Sequence, residues 1–66
     1  MFLKIKNRII NIALIKYIEL YDNLQEIVLV FGNENLIIKF DTKLEYENYK
    51  SKIIKATTYE LENGNT

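Results

Sequence analysis

The segment QEIVLVFGNENLIIKF, residues 25–40, constrains the fold more than any other part of the chain. Apolar residues, many of them β-branched, fill most positions on both sides of a central GNEN, and Gly and Asn are turn formers. This pattern predicts two strands, residues 26–31 and 36–40, joined in a hairpin. Both faces of the hairpin are apolar, so both require cover from water.

Three further stretches alternate with the period of two that is typical of half-buried strands. They are FLKIK near the start, IINI after Asn7 and Arg8, and KYIELYD from Lys16. The alternation breaks at ALI, residues 13–15, which predicts a short turn or a single helical loop. Because all connections are too short for parallel crossovers, we expect antiparallel pairing.

After the second hairpin strand the period changes to that of a helix. Thr42 and Glu45 fit a capping box, and an apolar stripe follows at helical spacing, formed by Tyr46, Tyr49, Ile53 and Ala56. The helix is predicted over residues 42–57, and the polar residues 58–66 are expected to fray. The expected fold is therefore α+β, a single domain over residues 1–57 with one antiparallel sheet of four to five strands and a C-terminal helix packed on one face.

One helix about 10–12 Å wide cannot cover both faces of a five-stranded sheet about 20 Å wide. Alternation places a set of apolar residues on the face away from the helix, and we take these as interface candidates: Phe2, Ile9, Tyr17, Tyr21, Val28, Val30 and Ile37. A chain of 66 residues without Cys or His cannot use disulfides or a Cys/His zinc site. Oligomerisation remains, so we expect a homodimer. The alternatives are a different protein on this face, or exposed residues that serve strand propensity alone.

Catalytic chemistry is poorly represented in the composition. His and Cys are absent, so the commonest general base and the thiol nucleophile are missing. Only two glycines occur, which excludes the usual Gly-rich phosphate loops, and the acidic residues show no metal-ligand spacing. The sequence therefore predicts a non-catalytic protein without a cofactor or a metal ion.

Single-stranded nucleic acid is the alternative ligand for the same sheet face. Its aromatic rings can stack bases and its lysines can neutralise phosphates, and the candidate set is Lys4, Lys6, Tyr17, Tyr21 and Lys39. The order of four strands and a helix also resembles single-stranded-DNA-binding coactivator domains. However, nine basic residues are balanced by nine acidic ones, so a protein interface is the first interpretation.

The stretch from RIINIALIKYIEL to FDTKLEYENY resembles small strand-rich proteins of AT-rich bacteria, their phages and plasmids. The shared features are an IIN…I..IE opening, a hairpin and an F.T..E...Y helix start. This resemblance implies an accessory role, such as a phage-encoded inhibitor that occupies a surface of a host enzyme. No basic segment followed by an apolar run opens the chain, and no apolar run approaches the ~20 residues of a membrane span, so we expect a cytoplasmic protein without membrane contact.

Overall fold

A computed structural model describes the backbone of residues 1–64 and the side chains of residues 1–58. The elements follow in the order β1 (Phe2–Ile5), β2 (Arg8–Asn11), a 3-10 helix (Ile12–Leu14), β3 (Tyr17–Tyr21), β4 (Glu26–Phe31), β5 (Glu34–Lys39) and α1 (Lys43–Gly64). All strand pairs are antiparallel. The α+β class, the antiparallel pairing and the C-terminal helix are therefore confirmed.

The five strands are divided between two sheets, whereas we expected one sheet of four to five strands. β1 pairs with β2, and β3, β4 and β5 form a second sheet in that order. The division occurs at the 3-10 helix, where the Asn11 side chain accepts a hydrogen bond from the Ala13 amide at 3.1 Å. Ile15 then donates to the Ile12 carbonyl at 3.1 Å. These bonds turn the chain away from β2, so β3 pairs with β4 alone.

Two-residue loops close both tight hairpins. In the β4–β5 loop, Gly32 takes a φ of 35°, a conformation that glycine adopts without steric cost. In the β1–β2 loop the corresponding residue is Lys6, with a φ of 54°, which is unfavourable for a residue with a Cβ. β5 starts at Glu34, two residues earlier than predicted. The GNEN segment is therefore half loop and half strand.

The core lies between α1, the β1–β2 hairpin and one face of the three-stranded sheet. Its buried cluster consists of Ile5, Ile10, Ile27, Leu29, Ile38, Phe40, Tyr46 and Ile53. Phe40 stands at the centre of an aromatic group, edge-on to Tyr46 with ring centroids 6.0 Å apart and stacked on Tyr49 at 5.3 Å. The buried residues of β4 and β5 in this cluster alternate with the interface candidates on those strands, so the helix packs on the opposite face of the sheet, as expected.

The helix begins as its cap predicts. The Glu45 amide donates to the Thr42 hydroxyl oxygen at 3.1 Å, which satisfies one of the unpaired amides of the first turn. α1 continues to Gly64, past the expected end at Thr57. The fraying predicted for residues 58–66 stays a prediction, and residues 65 and 66 lie outside the described part of the chain. No helix in the described part of the chain is both long enough and apolar enough to span a membrane.

Candidate protein interface

One face of the three-stranded sheet points away from α1, and we call it the open face. The strand register arranges it as three rows of three side chains: Tyr17, Val30 and Asn35; Glu19, Val28 and Ile37; Tyr21, Glu26 and Lys39. Each row crosses the sheet from β3 through β4 to β5. Directly opposed side chains in such rows have Cβ atoms about 4.5–5.5 Å apart and interact laterally. The open face is therefore a continuous surface built from all three strands.

The valines of the open face are buried within the single chain. Val28 is 7% exposed and Val30 is 5% exposed, although we expected both to need cover from a partner. Both lie on the central strand, where side chains from β3 and β5 flank them in every row and exclude water. The exposed apolar surface comes from the outer strands, with Ile37 at 57%, Tyr17 at 53% and Tyr21 at 41%.

Charged groups on the open face are mixed in sign. The Lys39 ammonium lies 3.7 Å from a Glu26 carboxylate oxygen in the third row. The Glu19 carboxylate beside Tyr21 raises the pKa of the Tyr21 hydroxyl, with smaller contributions from burial and from Glu26. Two carboxylates against one ammonium make this surface slightly acidic, which favours a protein over a polyanion as its ligand.

The two remaining interface candidates lie on the other sheet. Phe2 faces Asn11 and Ile9 faces Lys4 across the β1–β2 pair, and Phe2 is 68% exposed and Ile9 73% exposed. No strand pairing joins this sheet to the open face among the described residues. The predicted interface set is therefore divided between two sheets, and so is the nucleic-acid set, because Lys4 belongs with Phe2 and Ile9.

Lys6 connects the two sheets. Its ammonium donates to the Lys39 carbonyl oxygen at 2.6 Å, lies 3.7 Å from Glu45 and stands 5.0 Å from the centre of the Phe40 ring. The Glu45 oxygen is buried and accepts no hydrogen bond within the described residues, so Lys6 is its compensating charge. Lys6 is thus directed toward the core side and away from the open face.

An open cleft of about 490 Å³ separates the β1–β2 turn from strand β5, and we call it the hairpin cleft. It is lined by Ile5, Lys6, Asn7, Arg8, Ile37, Ile38 and Lys39. Three of these side chains are cationic and none is acidic. Because Ile37 belongs to both surfaces, the hairpin cleft adjoins the open face along the edge of β5.

A polar network beside the β3–β4 loop was not predicted from the sequence. The Tyr46 hydroxyl donates to Asp22 Oδ1 at 2.5 Å and the Lys50 ammonium donates to the same oxygen at 3.0 Å. The Tyr46 and Lys50 bonds lower the pKa of Asp22, whereas burial and the Asp22 bond raise the pKa of Tyr46 to about 12. The partners of Asp22 are 24 and 28 positions away along the chain, so the sequence carries no signal for these contacts.

The network fastens the β3–β4 loop to α1. A tyrosine with a pKa near 12 is a weak acid and holds its proton at neutral pH. In the part of the chain that the structure describes, no group of three or more acidic side chains is placed to hold a metal ion. Neither a protein-family model, nor a curated protein, nor a solved structure matches the chain.

Proposed function

We propose that the chain is a non-catalytic protein-binding module that acts as a homodimer and recognises its target through the open face. The observation that carries this proposal is the exposure of Tyr17, Tyr21 and Ile37 around two buried valines. Tyrosine is enriched in the cores of protein interfaces because it combines a large apolar ring with a hydrogen-bonding tip. Ile37 is 57% exposed, so covering it contributes about 1 kcal/mol.

The packing at the centre of the open face supports a recognition role. Val28 and Val30 are buried between the flanking strands before any partner binds. A preformed surface loses little side-chain entropy when a partner binds, which leaves more of the contact energy for affinity. Such a module acts by covering a surface of its target, which is the accessory role that the resemblance to small strand-rich proteins of AT-rich bacteria, phages and plasmids implies.

Single-stranded nucleic acid is the second candidate, favoured by two exposed tyrosines four residues apart on β3. Against it, Glu19 and Glu26 lie on the same face, and Lys6 is engaged with Glu45 and Lys39. Titration of a labelled single strand at low and moderate salt separates the two candidates. Salt-sensitive binding that Tyr17→Ser and Tyr21→Ser abolish would favour nucleic acid over protein.

The homodimer is tested by sedimentation equilibrium at micromolar concentration, where we expect a mass near twice 7.9 kDa. A monomer throughout would overturn this part of the proposal. Target recognition is tested with a Tyr17→Ser/Tyr21→Ser variant, matched to a Leu44→Ser/Ile54→Ser control. Leu44 and Ile54 are also exposed apolar residues, but they lie on α1.

Both variants and the wild type are immobilised and exposed to lysate of the native host. We expect one protein to be retained by the wild type and the helix control and to be lost from the open-face variant. Equal retention by all three would place the contact elsewhere and refute the role of the open face. Because the substitutions are at exposed positions, their effect on folding is expected to lie within about 0.5 kcal/mol, and circular dichroism checks this.

A further inference from the structure

Strand β5 is an edge of its sheet, and the direction of its free backbone groups follows from the register. In antiparallel pairs, residues alternate between those that bond the neighbouring strand and those whose N–H and C=O point outward. Phe40 donates to the Gln25 carbonyl at 3.0 Å, which assigns the even-numbered residues of β5 to β4. The odd-numbered ones, Asn35, Ile37 and Lys39, therefore direct their backbone groups outward. Lys6 bonds the Lys39 carbonyl from that side, as this assignment requires.

We propose that two copies of the chain pair antiparallel along β5, with Ile37 opposite Ile37 of the second copy on the two-fold axis. This rests on the homodimer of the proposed function and specifies its interface. In this register Asn35 faces Lys39 of the second copy and Leu36 faces Ile38, so no like charges are opposed. All outward backbone groups of Asn35 and Ile37 gain partners, which an isolated edge strand lacks. The Lys39 carbonyl retains a second lone pair for the new bond.

Charge complementarity favours this register over others. The register places Glu34 of the second copy opposite Phe40. This position is beside the β1–β2 turn, which carries Lys6 and Arg8 at the hairpin cleft. Within the described residues neither Arg8 nor Glu34 has an ion-pair partner. In the two-fold dimer, Arg8 of each copy lies near Glu34 of the other, so two such ion pairs can form. The cationic lining of the hairpin cleft thus receives the acidic end of β5 from the second copy.

The other edge of the sheet is less suited to self-pairing. On β3 the residues bonded to β4 are Tyr17, Glu19 and Tyr21, so Ile18 and Leu20 direct their backbone groups outward. An antiparallel register that uses both of these centres on Glu19 and sets two carboxylates directly opposite each other, which is destabilising. Pairing along β5 instead joins two three-stranded sheets into one, and the two open faces become a single surface.

Cysteine cross-linking tests the register, since the chain contains no Cys. In the proposed dimer the two copies of residue 37 have Cα atoms about 5.5 Å apart, within the range of about 4.4–6.8 Å that a disulfide spans. In a dimer packed face to face, sheets lie about 10 Å apart, beyond that range. We expect Ile37→Cys to form a disulfide-linked dimer under mild oxidation. Tyr17→Cys, which is similarly exposed on the other edge strand, is the control and should stay unlinked.

Charge reversal tests the cross-dimer ion pairs independently. Arg8→Glu and Glu34→Arg should each raise the dimer dissociation constant about tenfold, because each creates two like-charge contacts. The double variant should restore dissociation close to the wild-type value. Lys55→Glu, an equal charge change at an exposed position of α1, should have no effect.

The outcomes separate this inference from the proposed function. A wild-type dimer whose Ile37→Cys variant stays unlinked, or whose double charge variant is no better than the single ones, overturns the β5 pairing and leaves the homodimer in place. A wild-type chain that is monomeric in sedimentation overturns both. Linked Ile37→Cys together with rescue by the double variant establishes the β5 pairing.

Discussion

Replacement of Tyr46 by Phe removes one hydroxyl group from a fully buried ring and leaves the packing of the ring unchanged. That hydroxyl donates to Asp22 at 2.5 Å and is a direct link between α1 and the β3–β4 loop. Hydrogen bonds to charged groups contribute about 1.5–3 kcal/mol to stability. Because the Asp22 side chain is 63% exposed and also accepts from Lys50, we expect the loss to be smaller, about 1 kcal/mol. For a domain of this size that corresponds to a fall in Tm of about 4–8 °C.

The pH dependence of stability gives a second signature of the same bond. Burial and the Asp22 bond raise the pKa of Tyr46 to about 12. The contribution of Tyr46 to the free energy of unfolding is therefore complete below the usual tyrosine pKa of about 10 and is lost as the pH rises through about 12. The pKa of Asp22 is lowered by the Tyr46 and Lys50 bonds, so its contribution is present above the unfolded pKa and is lost as the pH falls through the folded one. Tyr46→Phe removes the Tyr46 part of the alkaline loss, while the raised pKa values of Lys50 and Tyr21 leave the remainder in place. It also reduces the acid loss, since Lys50 still bonds Asp22.

Urea denaturation at neutral pH and at several alkaline pH values measures both effects. Tyr49→Phe is the matched control, because the Tyr49 ring also packs on Phe40 and its hydroxyl bonds no partner within the described residues. We expect Tyr49→Phe to follow the wild type at every pH. Two results would refute the assigned role of the network. One is a Tyr46→Phe variant as stable as the wild type at neutral pH. The other is a variant whose free energy of unfolding falls with pH as steeply as that of the wild type above pH ~10.

Three further predictions concern the core, the strained turn and the helix cap. Leu29→Ala, at a fully buried position, should cost about 2–5 kcal/mol and unfold most of the chain by circular dichroism, whereas Leu24→Ala at an exposed position should change stability by less than about 0.5 kcal/mol. Lys6→Gly and Lys6→Ala both lose the side-chain contacts of Lys6, but glycine tolerates the φ of 54°. The Gly variant should therefore be about 1 kcal/mol more stable than the Ala variant in urea denaturation. Equal stability of the two variants would show that the backbone carries no strain. Thr42→Ala removes the acceptor of the Glu45 amide and should lower thermal stability by about 1 kcal/mol. The control is Thr58→Ala on the exposed surface of the helix. A loss at Thr42 no larger than the loss at Thr58 would contradict the stabilising role of the Thr42 cap.

Local patterns in the sequence determined the elements of this fold. Alternation with a period of two shows which residues share a face of a strand. The residues that alternate with the interface candidates of β4 and β5 face the helix, and Ile27, Leu29 and Ile38 among them are buried. The Thr42 cap and the stripe through Tyr46 and Ile53 likewise place the start and the buried side of α1. These features depend on neighbours within four residues along the chain, and such neighbours are visible in the sequence.

Tertiary structure alone decided how the elements are arranged. The separation of β2 from β3, the burial of Val28 and Val30 between flanking strands, and the contacts of Lys6 with Lys39 and Glu45 all join positions distant in sequence. A period of two shows that a residue lies on one face of a sheet, but only strand order shows whether that position is central and sheltered or at an edge and exposed. For this reason the open face was predicted as a surface, while the distinction between its buried valines and its exposed Ile37 came from the packing of three strands side by side.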